Sequence, residues 1–308
     1  MKKKKILIAV CLFIFVVTLR APAIRSMEIK TEKNVVTVQD KNVLMRYRYK
    51  DVPFKPYVQE LYSPNGINVL RDAPADHLHH HALMYAIAVD GVNFWEEQKA
   101  PGQQKHIIFT GTSARTNINI STGCLTERLD WVNPRNEELL LKESRTIKVY
   151  KPKKQKATIL CWQSSFVVPP GKDSVTLSGS HYFGLGMRFV KSMDTGGKLF
   201  NAGDNEGEVV RGDERIVRAN WCAYTAKAND KTVTVAMFGH PDNLRHPTHW
   251  FTMTKPFAYL SATLNLYKEP LEIPSDKPLV LHYAVVVWDN QVSKKQVQKV
   301  YDWWAKSN

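Results

Sequence analysis

The sequence predicts an all-β protein, a large antiparallel β-sandwich with one C-terminal helix. Three observations carry this. Short runs rich in β-branched and aromatic residues recur along the chain, among them residues 34–40 (NVVTVQD), 42–49, 157–170, 174–190, 232–240 and 279–289. Gly, Pro, Asn and Asp punctuate these runs, as in SPNG, PPGKD, DTGGK, AGDNEG and KAND. No stretch between residues 27 and 290 shows a helical period. After it, Val297, Val300, Tyr301 and Trp304 follow i, i+3, i+4, i+7 spacing behind Ser293, which can cap a helix. The expected organisation is therefore one sandwich domain over 27–308 with its helix over 294–306, the apolar helix face packing on a sheet.

Composition narrows the classes. Apolar residues make up 44% and charged residues 23%, which excludes a disordered chain. The one stretch apolar enough to concern a membrane is N-terminal. Lys2 to Lys5 form a basic region, Ile6 to Val17 an unbroken apolar run, and Ala21-Pro22-Ala23 supplies small residues for cleavage. That is the pattern of a signal peptide over 1–23, so the protein is expected to be secreted or periplasmic, with membrane contact through that segment only. Cleavage after Ala23 removes five basic residues and no acidic ones, taking the formal charge from +14 to +9. Lys148, Lys151, Lys153, Lys154 and Lys156 crowd around Pro152 and read as a solvated hairpin tip, so no nucleic-acid partner is expected. Cys124, Cys161 and Cys222, without C-x-x-C spacing, read as small buried residues.

The densest chemistry lies in residues 71–95, RDAPADHLHHHALMYAIAVDGVNFW, where His77, His79, His80 and His81 fall within five residues. As an extended segment it would send His77, His79 and His81 to one face and His80 to the other. Two imidazoles so placed can share one divalent metal ion, with Asp76 as a further ligand: the candidate metal set is Asp76, His77 and His79. The alternative is a polar turn bonded to its own backbone. After it, a strand, an Asp90-Gly91 turn and VNFW place the cluster at the lip of a core strand.

Two further constellations stand out. HPDNLRHPTHW carries His240, Asn243, Arg245, His246, His249 and Trp250 on a proline-held loop. Residues 200–221 mix Asn205, Glu206, Glu208, Arg211, Asp213, Glu214, Arg215 and Arg218, with Glu206 the candidate acid or base. Arg188 sits on a strand pattern and can project into a cleft. Trp95, Trp221 and Trp250 adjoin polar clusters, where an aromatic face can stack on a sugar ring. The candidate catalytic residues are His79, His80, Glu206 and His249. The candidate substrate-binding residues are Arg71, Asn93, Trp95, Arg188, Asn243, Arg245 and Trp250. The histidine cluster and the loop His240 to Trp250 are expected to converge on one pocket, because strand-end loops meet at one rim of a sandwich.

Together these segments resemble a bacterial family of unknown function labelled "methane oxygenase PmoA". The matching features are Lys55-Pro56-Tyr57 with SPNGINVLRD, Asp76-His77-Leu78-His79-His80, Gly91 to Trp95, GLGMRF, NEGE before RANW, and HPDNLRHPTHW, covering most of residues 45–260. A methane monooxygenase subunit would cross the membrane several times and this sequence has no such spans, so methane oxidation is excluded. The resemblance implies a galactose-mutarotase-like supersandwich and an exported protein of polysaccharide-degrading bacteria. Two positions depart from the family pattern. His81-Ala82 follow the histidine motif where Arg-Gly is usual, and Phe251 follows Trp250 where a histidine is usual, while His249 precedes it.

The function expected is action on a sugar or keto-glycoside by histidine and carboxylate acid–base chemistry. With one divalent metal ion at the histidines, elimination or hydrolysis would be favoured. A non-catalytic glycan-binding protein is the alternative, and a metal-dependent oxygenase the third.

Overall fold

The computed structural model describes residues 26–307; the expected signal peptide lies outside them. Every strand pairing is antiparallel. The strands Glu28–Glu32, Val35–Gln39, Val43–Arg48, Tyr57–Leu61, Leu83–Ala86, Gly184–Arg188, Tyr259–Thr263, His249–Met253, Glu214–Arg218 and Glu208–Arg211 form, in that spatial order, a ten-stranded sheet. An eight-stranded sheet runs Lys198–Asn201, Trp221–Ala228, Lys231–Gly239, Leu279–Asp289, Ala157–Val167, Glu138–Pro152, Ile120–Asn133, Gln103–Thr116. A small four-stranded sheet holds Ala88–Val89 and Val92–Asn93, a two-residue hairpin. Its turn residues Asp90 and Gly91 have φ of 47° and 78°, the twist that such a hairpin demands.

The two large sheets enclose the main core, where Tyr47, Leu83, Leu129, Ile147, Leu160, Leu185, Val235 and Val285 are fully buried. The outer face of the eight-stranded sheet presents Ile159, Trp221, Ala223, Ala236, Phe238, Ala284 and Val286 to the C-terminal helix Lys294–Ser307. That helix buries Val297, Val300, Tyr301 and Trp304, as its stripe predicts. Its cap is reciprocal. Ser293 N–H donates to Gln296 Oε1 at 2.8 Å and Gln296 N–H to Ser293 Oγ at 3.3 Å. The lysine-rich tip is the turn between Glu138–Pro152 and Ala157–Val167, with Lys153, Lys154 and Lys156 exposed. Cys124, Cys161 and Cys222 are free, and Cys222 alone is fully buried.

Alternation along the ten-stranded sheet sets up the site. Trp250 and Thr252 face one side, His249, Phe251 and Met253 the other. Cross-strand partners share a face, so Tyr259, Ser261 and Thr263 join the second group, with Arg188, Gly186 and Gly184 beyond them. Gly186 is required there. A Cβ at that position would lie 1.9 Å from the Tyr259 hydroxyl and 2.6 Å from the Trp95 ring.

Candidate functional site

Residues 72–81 are not extended. Two successive tight turns close on Pro74 and His77, with His77 N–H donating to Pro74 C=O at 2.9 Å and His80 N–H to His77 C=O at 3.0 Å. An Asp72–His81 bridge clamps their base. Pro74 and Asp76 favour such turns, and the turns override strand alternation. The histidine faces expected from the sequence are therefore corrected: His77, His79 and His80 group together, and His81 turns inward. Their rings contact one another, with His77 stacked on His80 at 4.6 Å, and His79 at 4.6 Å from His80 and 5.7 Å from His77.

A buried charge chain holds this loop. His81 donates from Nδ1 to Asp72 at 3.1 Å and from Nε2 to Glu97 at 2.9 Å, so both ring nitrogens carry protons. Burial works to lower the His81 pKa, but the two carboxylates outweigh it and raise it. Glu97 also takes Lys55 Nζ at 2.5 Å, and Lys55 is fully buried. One residue on, the Pro56 carbonyl accepts from Arg145 at 3.1 Å, inside the sandwich core. The turn loop and the 95–98 segment are thus tied to each other and to the core.

These elements form a cleft of about 500 Å³ over the face of the ten-stranded sheet that carries Phe251, Met253 and Tyr259. It is lined further by His77, His79, His80, Glu96, Gln98 and Tyr182, and by Arg211, Asp213, Glu214, Lys255 and Phe257 from two hairpin loops. Asp213 fixes one loop against the other by accepting from Thr254 N–H, Thr254 Oγ and Lys255 N–H at 2.7–2.8 Å. Glu96 accepts from Tyr182 Oη at 3.1 Å. Burial and the adjacent Glu96 push the Tyr182 phenol up to about 12.

Asp76 and His77 form a dyad. His77 Nδ1 donates to Asp76 Oδ2 at 3.1 Å, which leaves Nε2 as the acceptor, and Arg188 Nη2 holds the same carboxylate oxygen at 3.0 Å. Burial tends to raise Asp76, yet the His77 bond and the Arg188 charge keep it below the usual carboxylate range. Burial lowers the His79 pKa, with the His77 charge adding to it. The same causes, burial first and then His79 and His77, take His80 down to about 2.

The remaining candidates fall into place by this geometry. His79 and His80 line the cleft. Arg188 is buried beneath it, its guanidinium carbon 3.4 Å from the Phe257 ring centre. Arg71 reaches Asp194 at 3.7 Å and Asp76 at 3.9 Å. Trp95 is fully buried against Phe183, Tyr182 and Tyr259. Asn93 caps the turn that delivers Glu96, its Oδ1 accepting from the N–H groups of Trp95 and Glu96 at 2.8 and 3.1 Å.

The loop His240 to Trp250 does not share this cleft, which corrects the single-pocket expectation. His240 packs on His282 and Trp304 near the C-terminal helix, each at 5.4 Å. Asn243 exchanges two 2.7 Å bonds with the His282 backbone. Arg245 donates to Leu264 C=O at 2.7 Å and Glu269 C=O at 2.8 Å. The Asn243 amide and the Arg245 guanidinium are spent on backbone, because a proline-held loop between strands must satisfy its neighbours' backbone groups. Trp250 faces the core and donates from Nε1 to Ala219 C=O at 2.8 Å. His249 shares the sheet face of Phe251 one residue pair away but does not line the cleft, and burial followed by Arg218 and Arg245 lowers it to about 4. Glu206 is exposed, outside the cleft, on the loop before Glu208–Arg211.

The expected metal set is likewise not assembled. Among the described residues no group of three or more His, Cys, Asp or Glu side chains is arranged to hold a metal ion. Asp76 is engaged by His77 and Arg188 instead.

Sequence reasoning missed Glu96, Tyr182, Phe251, Phe257 and Tyr259. The pair Glu96-Glu97 directly after the singled-out Trp95 was a usable signal; the aromatic residues were not, because each reads as ordinary strand or core.

Among solved structures, the chain is similar to the mutarotase candidate YeaD of Salmonella typhimurium at 10% identity and a TM-score of 0.44, covering 86% of this chain and 94% of that one. It is also similar to the Slr1438 protein of Synechocystis sp. PCC 6803 at 10% identity and a TM-score of 0.39, covering 91% and 100%. The α-galactosidase of Lactobacillus brevis matches at 6% identity and a TM-score of 0.46, covering 92% of this chain and 42% of that one. No curated protein matches the chain. Residues 34–302 match the family described as "family of unknown function (DUF6807)", a description that carries no methane-oxygenase label. The chain belongs to that family of unknown function, DUF6807.

Proposed function

We propose that the protein is an exported carbohydrate-active enzyme that moves protons on a sugar or keto-glycoside held in the histidine cleft. One observation carries the reading: a cleft that combines aromatic faces (Tyr182, Phe251, Phe257, Tyr259) with an imidazole oriented by a carboxylate (His77 on Asp76) and a second carboxylate, Glu96. Aromatic faces suit the C–H face of a pyranose ring. His77, with Nδ1 engaged, offers Nε2 to a hydroxyl or to a C–H beside a carbonyl, and Asp76 supports the imidazolium that forms. His79, whose pKa burial lowers, is the second imidazole within reach. His80, lowered to about 2, takes up a proton poorly at neutral pH and is assigned to hydrogen bonding. Giving the anomeric hydroxyl proton to the ring oxygen opens the ring, returning a C–H proton to the opposite face of the same carbon epimerises it, and giving that proton to a departing β-oxygen as its C–O bond breaks completes an elimination. Export rests on the N-terminal pattern alone, and an N-terminus near Ile24 in secreted or periplasmic material is its expected signature.

The test is turnover of a panel of glycosides and keto-glycosides followed by NMR. His77→Ala and His79→Ala are each expected to lower turnover ~10²–10⁴-fold, the usual contribution of a general acid–base group, while the fold stays intact. Wild-type rates in both variants would show the site to be wrongly assigned. Glycans that bind to the wild type without any turnover would replace the enzyme with a glycan-binding module.

A further inference from the structure

Hydrogen-bonding capacity is left over at the buried end of the cleft. Arg188 and Tyr259 are cross-strand partners on one face of the ten-stranded sheet, and the His80 ring lies 5.2 Å from that of Tyr259. Among the described residues four of their buried atoms have no partner: Arg188 Nε and Nη1, Tyr259 Oη and His80 Nδ1. Arg188 is 1% exposed, and its Nη2 alone is engaged, by Asp76 at 3.0 Å and Asp194 at 3.8 Å. A guanidinium has five N–H donors, so those on Nε and Nη1 are unmet. Unpartnered buried polar atoms are rare, and a charged donor left so costs more than a neutral one. Burial lowers the Arg188 pKa, and the charges of Asp194 and Asp76 do not fully offset it. The guanidinium is short of negative charge where it lies.

Phe257 stands between these donors and the cleft. Its ring lines the cleft, lies 3.4 Å from the guanidinium carbon, and contacts His77 and His80 at 4.9 and 5.7 Å. The ring face attracts the cation but offers no acceptor in the guanidinium plane. Phe257 belongs to the short connection between His249–Met253 and Tyr259–Thr263, where a ring can change rotamer without moving a strand. Lys255, exposed on the same connection, adds a cation to the cleft lining.

The acids of the cleft already hold donors: Glu96 that of Tyr182, Asp213 those of Thr254 and Lys255, Glu214 that of Arg211 at 2.7 Å. The acceptor that Arg188 lacks must therefore come from outside. A carboxylate supplies it with one negative charge, which suits a guanidinium whose Nη2 already faces Asp76 and Asp194 better than a dianion would. Being flat, it also fits the layer that a phenyl ring vacates. The Tyr259 hydroxyl and His80, in its Nδ1–H tautomer, can donate to the same group.

We infer that the cleft takes a carboxylate-bearing sugar, its carboxylate bound by Arg188 with Tyr259 and His80 once Phe257 turns aside. This rests on the carbohydrate reading above.

The experiment is calorimetric titration with matched pairs, methyl glucuronide against methyl glucoside and methyl galacturonide against methyl galactoside. At least one uronide is expected to bind ~10-fold or more tighter than its neutral partner, the worth of a hydrogen bond to a charged group. Arg188→Gln, checked for folding by circular dichroism, should bring that ratio close to one. Phe257→Ala leaves Arg188 and its two acids in place and keeps the test open if the first variant does not fold. It should raise the ratio at least ~3-fold, because the donors no longer wait on a minor rotamer. Uronides that bind no tighter than their neutral partners overturn the inference and leave the carbohydrate reading standing. A uronide preference that survives in Arg188→Gln, or that does not rise in Phe257→Ala, overturns the site beneath Phe257. If the wild type binds none of the four, the carbohydrate reading itself fails and this inference falls with it.

Discussion

Glu97→Gln isolates the buried chain beneath the cleft. Lys55 is fully buried, and among the described residues Glu97 at 2.5 Å is its carboxylate partner. Burial already lowers the Lys55 pKa, and the Glu97 charge opposes that shift. The variant keeps the shape and an acceptor oxygen but strands the ammonium. Removing one partner of a buried pair costs ~3–5 kcal/mol. A ceiling comes from the alternative open to Lys55: shedding its proton at pH 7, from an ordinary value of ~10.4, costs about 4.6 kcal/mol. With ~2.1 cal/mol/K per residue over about 280 described residues, the unfolding entropy is near 0.6 kcal/mol/K, so the melting temperature should fall by about 5–8 °C. The pH dependence gives a second signature. In the variant the folded state holds Lys55 with a depressed pKa, so the unfolded state binds more protons and stability rises with pH, by up to ~1.4 kcal/mol per unit. His81 acts in the same sense. Its raised pKa stabilises the wild type below the unfolded value, and that contribution is lost as pH rises through the folded one. The deficit of the variant should therefore shrink from pH 6 to pH 9. Thermal melts by circular dichroism across that range, at fixed ionic strength, test both signatures. A second variant, Lys55→Met with Glu97→Gln, should recover most of the loss because no charge is left unpaired. A fall of less than ~2 °C in the single variant, or a deficit that is flat with pH, refutes the buried-charge reasoning.

Two other predictions concern neighbouring residues. His80 is neutral in the fold and titrates near ~6.5 when unfolded, so it withdraws about 2 kcal/mol of stability at pH 5; His80→Gln should flatten the acid limb of urea stability between pH 7 and 5. Trp250→Phe empties core volume and frees the Ala219 carbonyl, costing ~2 kcal/mol in chemical denaturation, and should leave the affinity for any glycoside ligand within about twofold. A large loss of affinity would return Trp250 to the site.

Much of the architecture was written in the chain as local signals. Strand runs, the Asp90-Gly91 turn, the helix stripe from Val297 to Trp304 and its Ser293 cap are set by residues within a few positions of one another, and the fold kept them. The histidine cluster was equally visible as a concentration of chemistry. What it faces was not, because Pro74 and Asp76 turn the segment into two tight turns and the faces follow the turns rather than strand parity. The loop at His240 shows the opposite case. Its composition matched that of a site, but Asn243 and Arg245 bond to backbone carbonyls from residues 264, 269 and 282, distant in sequence and adjacent only in the sheets. The cleft itself exists only in three dimensions. Strand register sets Phe251 beside Ser261 and Gly186, and Gly186 admits the Tyr259 hydroxyl and the Trp95 ring because it has no Cβ. The sequence by itself determined which segments become strands and helix, since those depend on propensity and period. Tertiary structure decided which polar groups are spent on holding the fold and which are left unpaired at a cleft, since that depends on partners that only long-range pairing supplies.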